Sequence, residues 1–558
     1  MTKGEFKLKK KVSSLYLFSL LLTLSLILAA CGGGDSGQEA TGNADQEAQQ
    51  GEEKGSSGEP KQGGDFVISS TANPTMFNEF YATDSPSNTI ANFMYDSLIQ
   101  IDKNLEPEPS LAKDWSFSEE DQAYTFNLRD DVTWHDGEPF TADDVVFSYS
   151  IPLHDDYTGP RHSYFEPIET IEALDDHTVK ITLKRKDAKL LPIAFAFNVL
   201  PEHILGDVPN ADLAKHEFNT KSPIGTGPFK FDEWKQGQYV RVVANDGYWD
   251  GRPNFDSLTS KIVTDSNAQL AQFEAGDLDF LGVSAEQVTI AERFVSQGKA
   301  ELTILPDTGY TYIGYNHANP LFESKAVRQA LTHALDRETM IQAVLKGNGQ
   351  VAHHPGLPFS WAFNADASTF EYDPEKAKQL LAEEGWEKNS DGILEKDGKL
   401  FEFEIKTNQG NKVREKMMEI AQEQWSEIGV KANPKIVEFS ALSASLDEKK
   451  FEVYIMGWAL RDDPSLSPYF HTKEIESGFN RVSYSNPVLD EVMEKADAIM
   501  EPAERIQYLE ESQGIVAEDQ PYTFLYYPNK NLIYPTNIKG VQSHSGNSYY
   551  NIHKWAME

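Results

Sequence analysis

The sequence predicts an α/β fold built from several domain-sized units, on three observations. Between residues 401 and 458 the pattern runs strand, helix, strand, helix, strand. Elsewhere, apolar residues recur at helical spacing in stretches that stop at a glycine. Finally, residues 64–558 leave 495 positions to fold, room for about three units of ordinary size.

Taken in order, Asp130–Asp136 leads into Trp134-His135-Asp136-Gly137, the chemistry of a hairpin turn. In 265–279, Leu270, Ala271 and Phe273-Glu274-Ala275 form a helical stripe closed by Gly276. Val327, Ala330, Leu331, Ala334 and Leu335 recur at three-to-four spacing and predict a helix from an N-cap at Ser324 to a stop at Gly347. Pro374 opens a shorter helix carrying Ala377, Leu380 and Leu381, stopped at Gly385. Asp391-Gly392 and Asp397-Gly398 bracket 393–396 as a hairpin. Phe401-Glu402-Phe403-Glu404-Ile405 then alternates as a strand. Val413, Met417, Ile420 and Ala421 make an amphipathic helix ending at Gly429. A second strand is predicted at 434–437, a short helix at 440–449 and a third strand at 451–456. That order requires a parallel sheet with right-handed crossovers. Ligands of open α/β sheets sit beyond the carboxyl ends of strands. The loop Gly457-Trp458-Ala459-Leu460-Arg461-Asp462-Asp463-Pro464 is therefore the site that pattern alone selects.

The first thirty residues read as a processing signal. Lys3, Lys7, Lys9, Lys10 and Lys11 precede a mostly apolar run from Leu15 to Leu28, which ends in Leu28-Ala29-Ala30-Cys31. The run is too short to span a bilayer stably, and small residues precede the cut. The tetrapeptide resembles the bacterial lipobox, which implies cleavage before Cys31 and a lipid on its thiol. Cys31 is the only cysteine of 558 residues, so no disulfide staples the mature chain. Residues 32–63 contain no Val, Ile, Leu, Met, Phe, Tyr or Trp. Residues 31–63 are accordingly expected to form a disordered tether spanning roughly 30 Å. The expected location is the extracytoplasmic face of the cell membrane, held by lipid.

Formal net charge is −38; removing five lysines and Glu5 with the signal leaves 45 basic and 87 acidic residues, or −42. Nucleic-acid binding needs a surface dense in Lys and Arg, so that class is excluded. Catalytic templates are missing too: there is no Gly-x-Ser-x-Gly elbow, no His-Glu-x-x-His and no Walker loop. Gly225-Thr226-Gly227-Pro228 lacks a third glycine and loses an amide to proline, which fits a tight chain crossing better than a phosphate loop. His353-His354 has no carboxylate or thiolate nearby and reads as loop. No catalytic residue, metal or cofactor is expected.

Several stretches resemble the extracellular solute-binding proteins of family 5, the oligopeptide- and dipeptide-binding lipoproteins of ABC importers. They are Trp134-His135-Asp136-Gly137-Glu138-Pro139-Phe140-Thr141-Ala142-Asp143-Asp144-Val145-Val146-Phe147-Ser148, Asp176-His177-Thr178-Val179, Ile224-Gly225-Thr226-Gly227-Pro228-Phe229 and Tyr248-Trp249-Asp250-Gly251-Arg252-Pro253. Gly276-Asp277-Leu278-Asp279, Asn316, Ala326-Val327-Arg328-Gln329-Ala330-Leu331 and Leu335-Asp336-Arg337 follow in family order. The resemblance implies a two-lobed, periplasmic-binding-protein-like (class II) α/β fold with an additional third domain. Lobe one would be 64–108, 223–309 and 527–558; the extra domain 109–222; lobe two 310–526.

The resemblance further implies a ligand held as an extended strand by main-chain hydrogen bonds, with side chains in roomy, hydrated pockets. The backbone at Gly457, Trp458 and Ala459 would pair with the peptide, and Trp458 would line a pocket. An aspartate after Gly-Trp would hold the free amine. The loop differs by one residue from the enterobacterial spacing, so that role falls on Asp462 or Asp463 without a choice between them. Tyr164, Asn480 and Tyr526 or Tyr527 would face the cleft. The function implied is capture of oligopeptides by a lipid-anchored, monomeric receptor that delivers them to ABC permease subunits. The alternatives are a carrier of dipeptides, nickel complexes, haem or oligosaccharides, and a surface peptidase.

Overall fold

The computed structural model describes residues 62–558, apart from Arg461 and the side chains of Ser440 and Ser477. The expected signal 1–30, the lipid site Cys31 and the tether as far as residue 61 lie outside the described residues. The folded body begins at Gly63, whose amide donates to the Asn254 carbonyl at 2.8 Å.

Residues 65–262 form two four-stranded sheets. In one, Asp65–Ser70 lies parallel to Ser257–Ile262, which continues antiparallel through Tyr239–Ala244 to Phe229–Lys235. Alternation along the first strand sends Phe66 and Ile68 inward. The other sheet is antiparallel, in the order Ala112–Ser118, Ala123–Leu128, Thr178–Leu183, Ile168–Asp175. A single apolar core runs through both, joining Phe66 and Phe77 to Phe126, Trp134 and Phe195. Phe66 stacks on Phe255 at 4.6 Å and Phe126 meets Phe195 edge-on at 5.0 Å. Burying each such ring contributes roughly 1.5–3 kcal/mol. The segment 109–222, expected as an extra domain, thus shares its core with the other sheet.

Residues 281–535 are organised around an eight-stranded sheet. Its path runs Leu281–Val283, Tyr522–Pro535, Gly309–Tyr315, Val453–Ala459, Glu402–Asn408, Lys431–Val437, with Ala300–Pro306 and Gly349–Val351 also on Tyr522–Pro535. Its last three strands are the parallel unit read from the sequence, with crossover helices Lys412–Glu427 and Phe439–Asp447. Pro434 falls on the edge strand, where its missing amide costs no ladder bond. The central strand Gly309–Tyr315 is buried at every residue. Tyr310 and Tyr312 face a core with Tyr454 and Tyr522, whereas Ile313 and Tyr315 face another with Leu331 and Trp425.

One feature departs from expectation. The single helix predicted between Ser324 and Gly347 is two helices, Lys325–His333 and Arg337–Leu345. Asp336 sits at the break and caps the second by accepting the Thr339 amide at 2.9 Å. The apolar period hides the break because both helices bury their stripes in one core. The expected lobe junction at residue 527 falls inside the continuous strand Tyr522–Pro535. Residues 522–528 of that strand pair with 309–315 and 349–351, and residues 529–535 with 281–283 and 300–306. The neighbouring crossing, between Pro306 and Gly309, is tied to it by the Asp307 amide on the Pro528 carbonyl at 2.8 Å.

Candidate functional site

Helix Ser85–Met94 starts at Asp84, whose carboxylate accepts the Ser87 amide at 2.8 Å. It buries Ile90, Ala91, Phe93 and Met94, which leaves Asn88 and Asn92, four residues apart, on a shared polar face. That face borders a cavity of about 540 Å³, within the range of small-ligand sites. Asn198 continues the wall, its amide nitrogen donating to Asn92 Oδ1 at 3.2 Å. Asp462, Lys530 and the loop 544–550 supply the other sides. Two buried atoms of lining residues, the Tyr95 hydroxyl and Asn88 Oδ1, have no hydrogen-bond partner among the described residues. An unmet buried polar group costs about 1–3 kcal/mol.

Behind this wall Asp96 collects three hydrogen bonds, from Thr226 Oγ1, the Tyr248 hydroxyl and Trp249 Nε1, each at 3.1 Å. Burial raises its carboxyl pKa, although those hydrogen bonds act to lower it. His135 ties the Trp134 segment to the same place: Nδ1 accepts the Gly225 amide at 3.1 Å and Nε2 lies 3.0 Å from the Gly227 carbonyl. Burial holds His135 down at about 4. A Cβ at Gly225 or Gly227 would overlap the backbone of Met94, so these glycines do permit a tight chain crossing. The motif residues Arg328 and Arg337 are likewise pins, donating to backbone carbonyls such as Asp519 O and Phe524 O, both at 2.8 Å.

Of the predicted ligand-binding residues, Asp462 alone lines the cavity. Its neighbour Asp463 is occupied: Arg505 donates to both carboxylate oxygens, at 2.6 and 2.8 Å, and the Ser465 amide adds a third bond at 2.9 Å. Asp463 and Arg505 side chains are 2% and 4% exposed. Asn480 and Tyr527, expected in the cleft, serve structure instead. Buried Asn480 donates to the carbonyls of Tyr484 and His471 at 2.8 and 3.2 Å and accepts the Tyr484 amide. Tyr527 is buried and donates to the His354 carbonyl at 2.6 Å. Tyr526, its stated alternative, packs into the core of Leu331 and Trp425. Tyr164 lies against Phe197 at 5.9 Å. His353 and His354 are loop residues, and no group of three metal-ligating side chains occurs among the described residues.

Gly457, Trp458 and Ala459 end the strand Val453–Ala459, paired on one edge with Thr311, Tyr310 and Gly309. On the other edge the parallel partner pairs only as far as Tyr454, so 457–459 has no ladder partner there among the described strands. Trp458 is half-buried against Tyr469 at 5.0 Å and Phe479 at 5.5 Å, with the Arg481 guanidinium 5.5 Å from its ring. Arg414 approaches the open edge: a Cβ on Gly457 would lie 3.0 Å from its Nη2. Arg414 donates to Asn408 Oδ1 at 3.0 Å and has no carboxylate within ion-pair distance among the described residues. Burial lowers its pKa.

The sequence offered faint signals for what was missed. Asn88 and Asn92 stand at i, i+4 in a helix, and Asn529-Lys530-Asn531 interrupts an otherwise apolar strand. Asp96 gave none, because its partners lie 130–153 residues away.

The family model described as bacterial extracellular solute-binding proteins, family 5 middle, matches residues 106–477. The oligopeptide-binding protein AppA of Bacillus subtilis is 44% identical over 559 residues, covering 98% of this chain and 99% of that protein. Its structure in complex with a nonapeptide matches with a TM-score of 0.73, over 90% of this chain and 100% of that one. The heme-binding protein A of Haemophilus influenzae is 30% identical, covering 90% and 92% of the two chains. NikZ from Campylobacter jejuni, in complex with Ni(L-His), is 30% identical with a TM-score of 0.73, over 89% and 100%.

Proposed function

The chain belongs to the bacterial extracellular solute-binding proteins of family 5, and from that premise we propose that it captures oligopeptides and delivers them to an ABC permease. The observation that carries this is the polar cavity of about 540 Å³, in a chain 44% identical to an oligopeptide-binding protein. Asp462 holds the ligand's free amine, since its neighbour's carboxylate is already shared with Arg505. The open edge at 457–459 pairs with the ligand backbone as an added strand, and Trp458 and Arg414 flank it. Binding through main chain makes affinity depend little on peptide sequence. Lobe closure then buries the ligand and forms the surface the permease recognises.

The lobes divide as 64–108, 223–309 and 527–558 against 310–526, with 109–222 as the extra domain. The chain acts as a monomer, carries no catalytic centre, and is held outside the cell membrane by lipid on Cys31. Native mass spectrometry of the purified protein after incubation with a tryptic peptide mixture tests the ligand class. Intact peptides should be retained; retention of haem or a nickel chelate with no peptide would overturn the peptide reading, and fragments would indicate a peptidase. Metabolic labelling with an alkynyl palmitate tests the anchor, and Cys31→Ala should abolish the label.

A further inference from the structure

Lys530 belongs to the strand Tyr522–Pro535, where side chains alternate between faces. Asn529 and Asn531 turn to Asn348 and to the Val283 carbonyl, at 3.1 and 3.3 Å. Lys530 between them lines the cavity. Its ammonium has three hydrogens to donate. One goes to the Ser545 carbonyl at 2.8 Å; the closest carboxylate oxygen, of Asp307, stands at 3.9 Å, too long for a hydrogen bond. Burial lowers the Lys530 pKa, and Asp307 offsets that only in part, so the charge is under-compensated.

Among the described residues, the other charged groups that line the cavity are acidic. Glu79, Asp96 and Asp462 line it, and burial holds His544 at about 4, hence neutral at pH 7. Among the described residues, Lys530 is therefore the one cation that the cavity offers an acidic ligand group.

We propose that Lys530 is a specificity-determining residue that receives a ligand carboxylate, so that the cavity selects peptides carrying an acidic group. The inference rests on the peptide-binding reading above. A side-chain carboxylate and a free carboxyl terminus offer the same chemistry, and the test separates them. Synthetic peptides of one length, with Glu or Gln scanned through internal positions and with a free or amidated carboxyl end, are titrated by calorimetry.

The wild-type protein should bind one acidic arm about tenfold more tightly than its neutral counterpart, the scale of one charge-assisted hydrogen bond. Whichever arm shows the preference identifies the carboxylate. Lys530→Met should abolish the preference by weakening only the acidic arm, and Lys530→Arg should restore it. Thermal melts of both variants check folding. If Lys530 only anchors the 544–550 loop, Lys530→Met will weaken acidic and neutral peptides equally, and the proposal falls. Equal wild-type binding of both arms also overturns it while leaving peptide capture intact. No binding of any peptide removes the peptide reading and the inference together.

Discussion

Asp462 and Asp463 are adjacent and chemically identical, yet their carboxylates meet opposite surroundings. Asp462 borders a polar cavity. Asp463 is enclosed by Arg505 and joined to a chain of ion pairs that reaches Lys189 in the 109–222 segment. Asp497 lies 3.7 Å from Arg505 and accepts Ser465 Oγ at 2.6 Å. It also pairs with Lys189 at 2.7 Å, and its carbonyl accepts the Ala188 amide at 2.9 Å. The two regions differ in what surrounds the acid: the Asp463 carboxylate is buried against a bidentate guanidinium, whereas Asp462 lines a cavity.

Breaking the structural half should have the largest effect. Arg505→Met leaves the Asp463 charge buried without its partner, which costs about 3–5 kcal/mol; urea unfolding measures it, and a loss below about 1 kcal/mol would contradict the assignment. Next comes the ligand half. Asp462→Asn should weaken peptide binding about tenfold or more, the value of one charge-assisted hydrogen bond, while leaving the melting temperature nearly unchanged. Asp463→Asn should do the reverse in the same two assays, and similar behaviour of the two variants would erase the distinction. Third, Lys189→Met removes one cation but leaves Asp497 with Ser465 and Arg505. Its pair is partly exposed, so the cost is about 1–2 kcal/mol by the same unfolding assay.

The smallest effect is one of pH. Burial by itself raises the Asp497 carboxyl, yet the Lys189 ammonium and hydrogen bonds from Lys189 and Ser465 hold it below its ordinary 3.8. A depressed folded pKa gives stability that is present above the unfolded value and lost as pH falls through the folded one. The stability gap between wild type and Lys189→Met should therefore be full above about pH 4 and shrink below it. A gap that is constant down to the acid transition would show that Lys189 acts by packing.

The same contrast explains which parts of the site were legible. The Trp134 segment, Gly225–Phe229 and Tyr248–Pro253 are conspicuous in sequence because they fix backbone: His135 on Gly225 and Gly227, Thr226 and Trp249 on Asp96. They locate the fold rather than the ligand. Residues that touch the cavity, such as Asn92, Asn198 and Lys530, are ordinary polar residues brought together from distant segments. The 401–458 unit was readable because period-two and period-3.6 patterns are local. The break at Asp336 was not, because one core continues the apolar stripe across two helices.

By itself, then, the sequence determined the α/β class, the parallel unit and the glycine crossing at Gly225 and Gly227. Each rests on backbone preference or on apolar periodicity, which act over a few residues. Only the tertiary structure put Asp462 on a cavity wall and Asp463 against Arg505, buried Asn480 and Tyr527, and put Lys530 in the cavity wall. Those outcomes depend on partners such as Arg505, 42 residues away, and His354, 173 residues away. Whether a polar group is left for a ligand is settled by long-range pairing and burial, which no local pattern encodes.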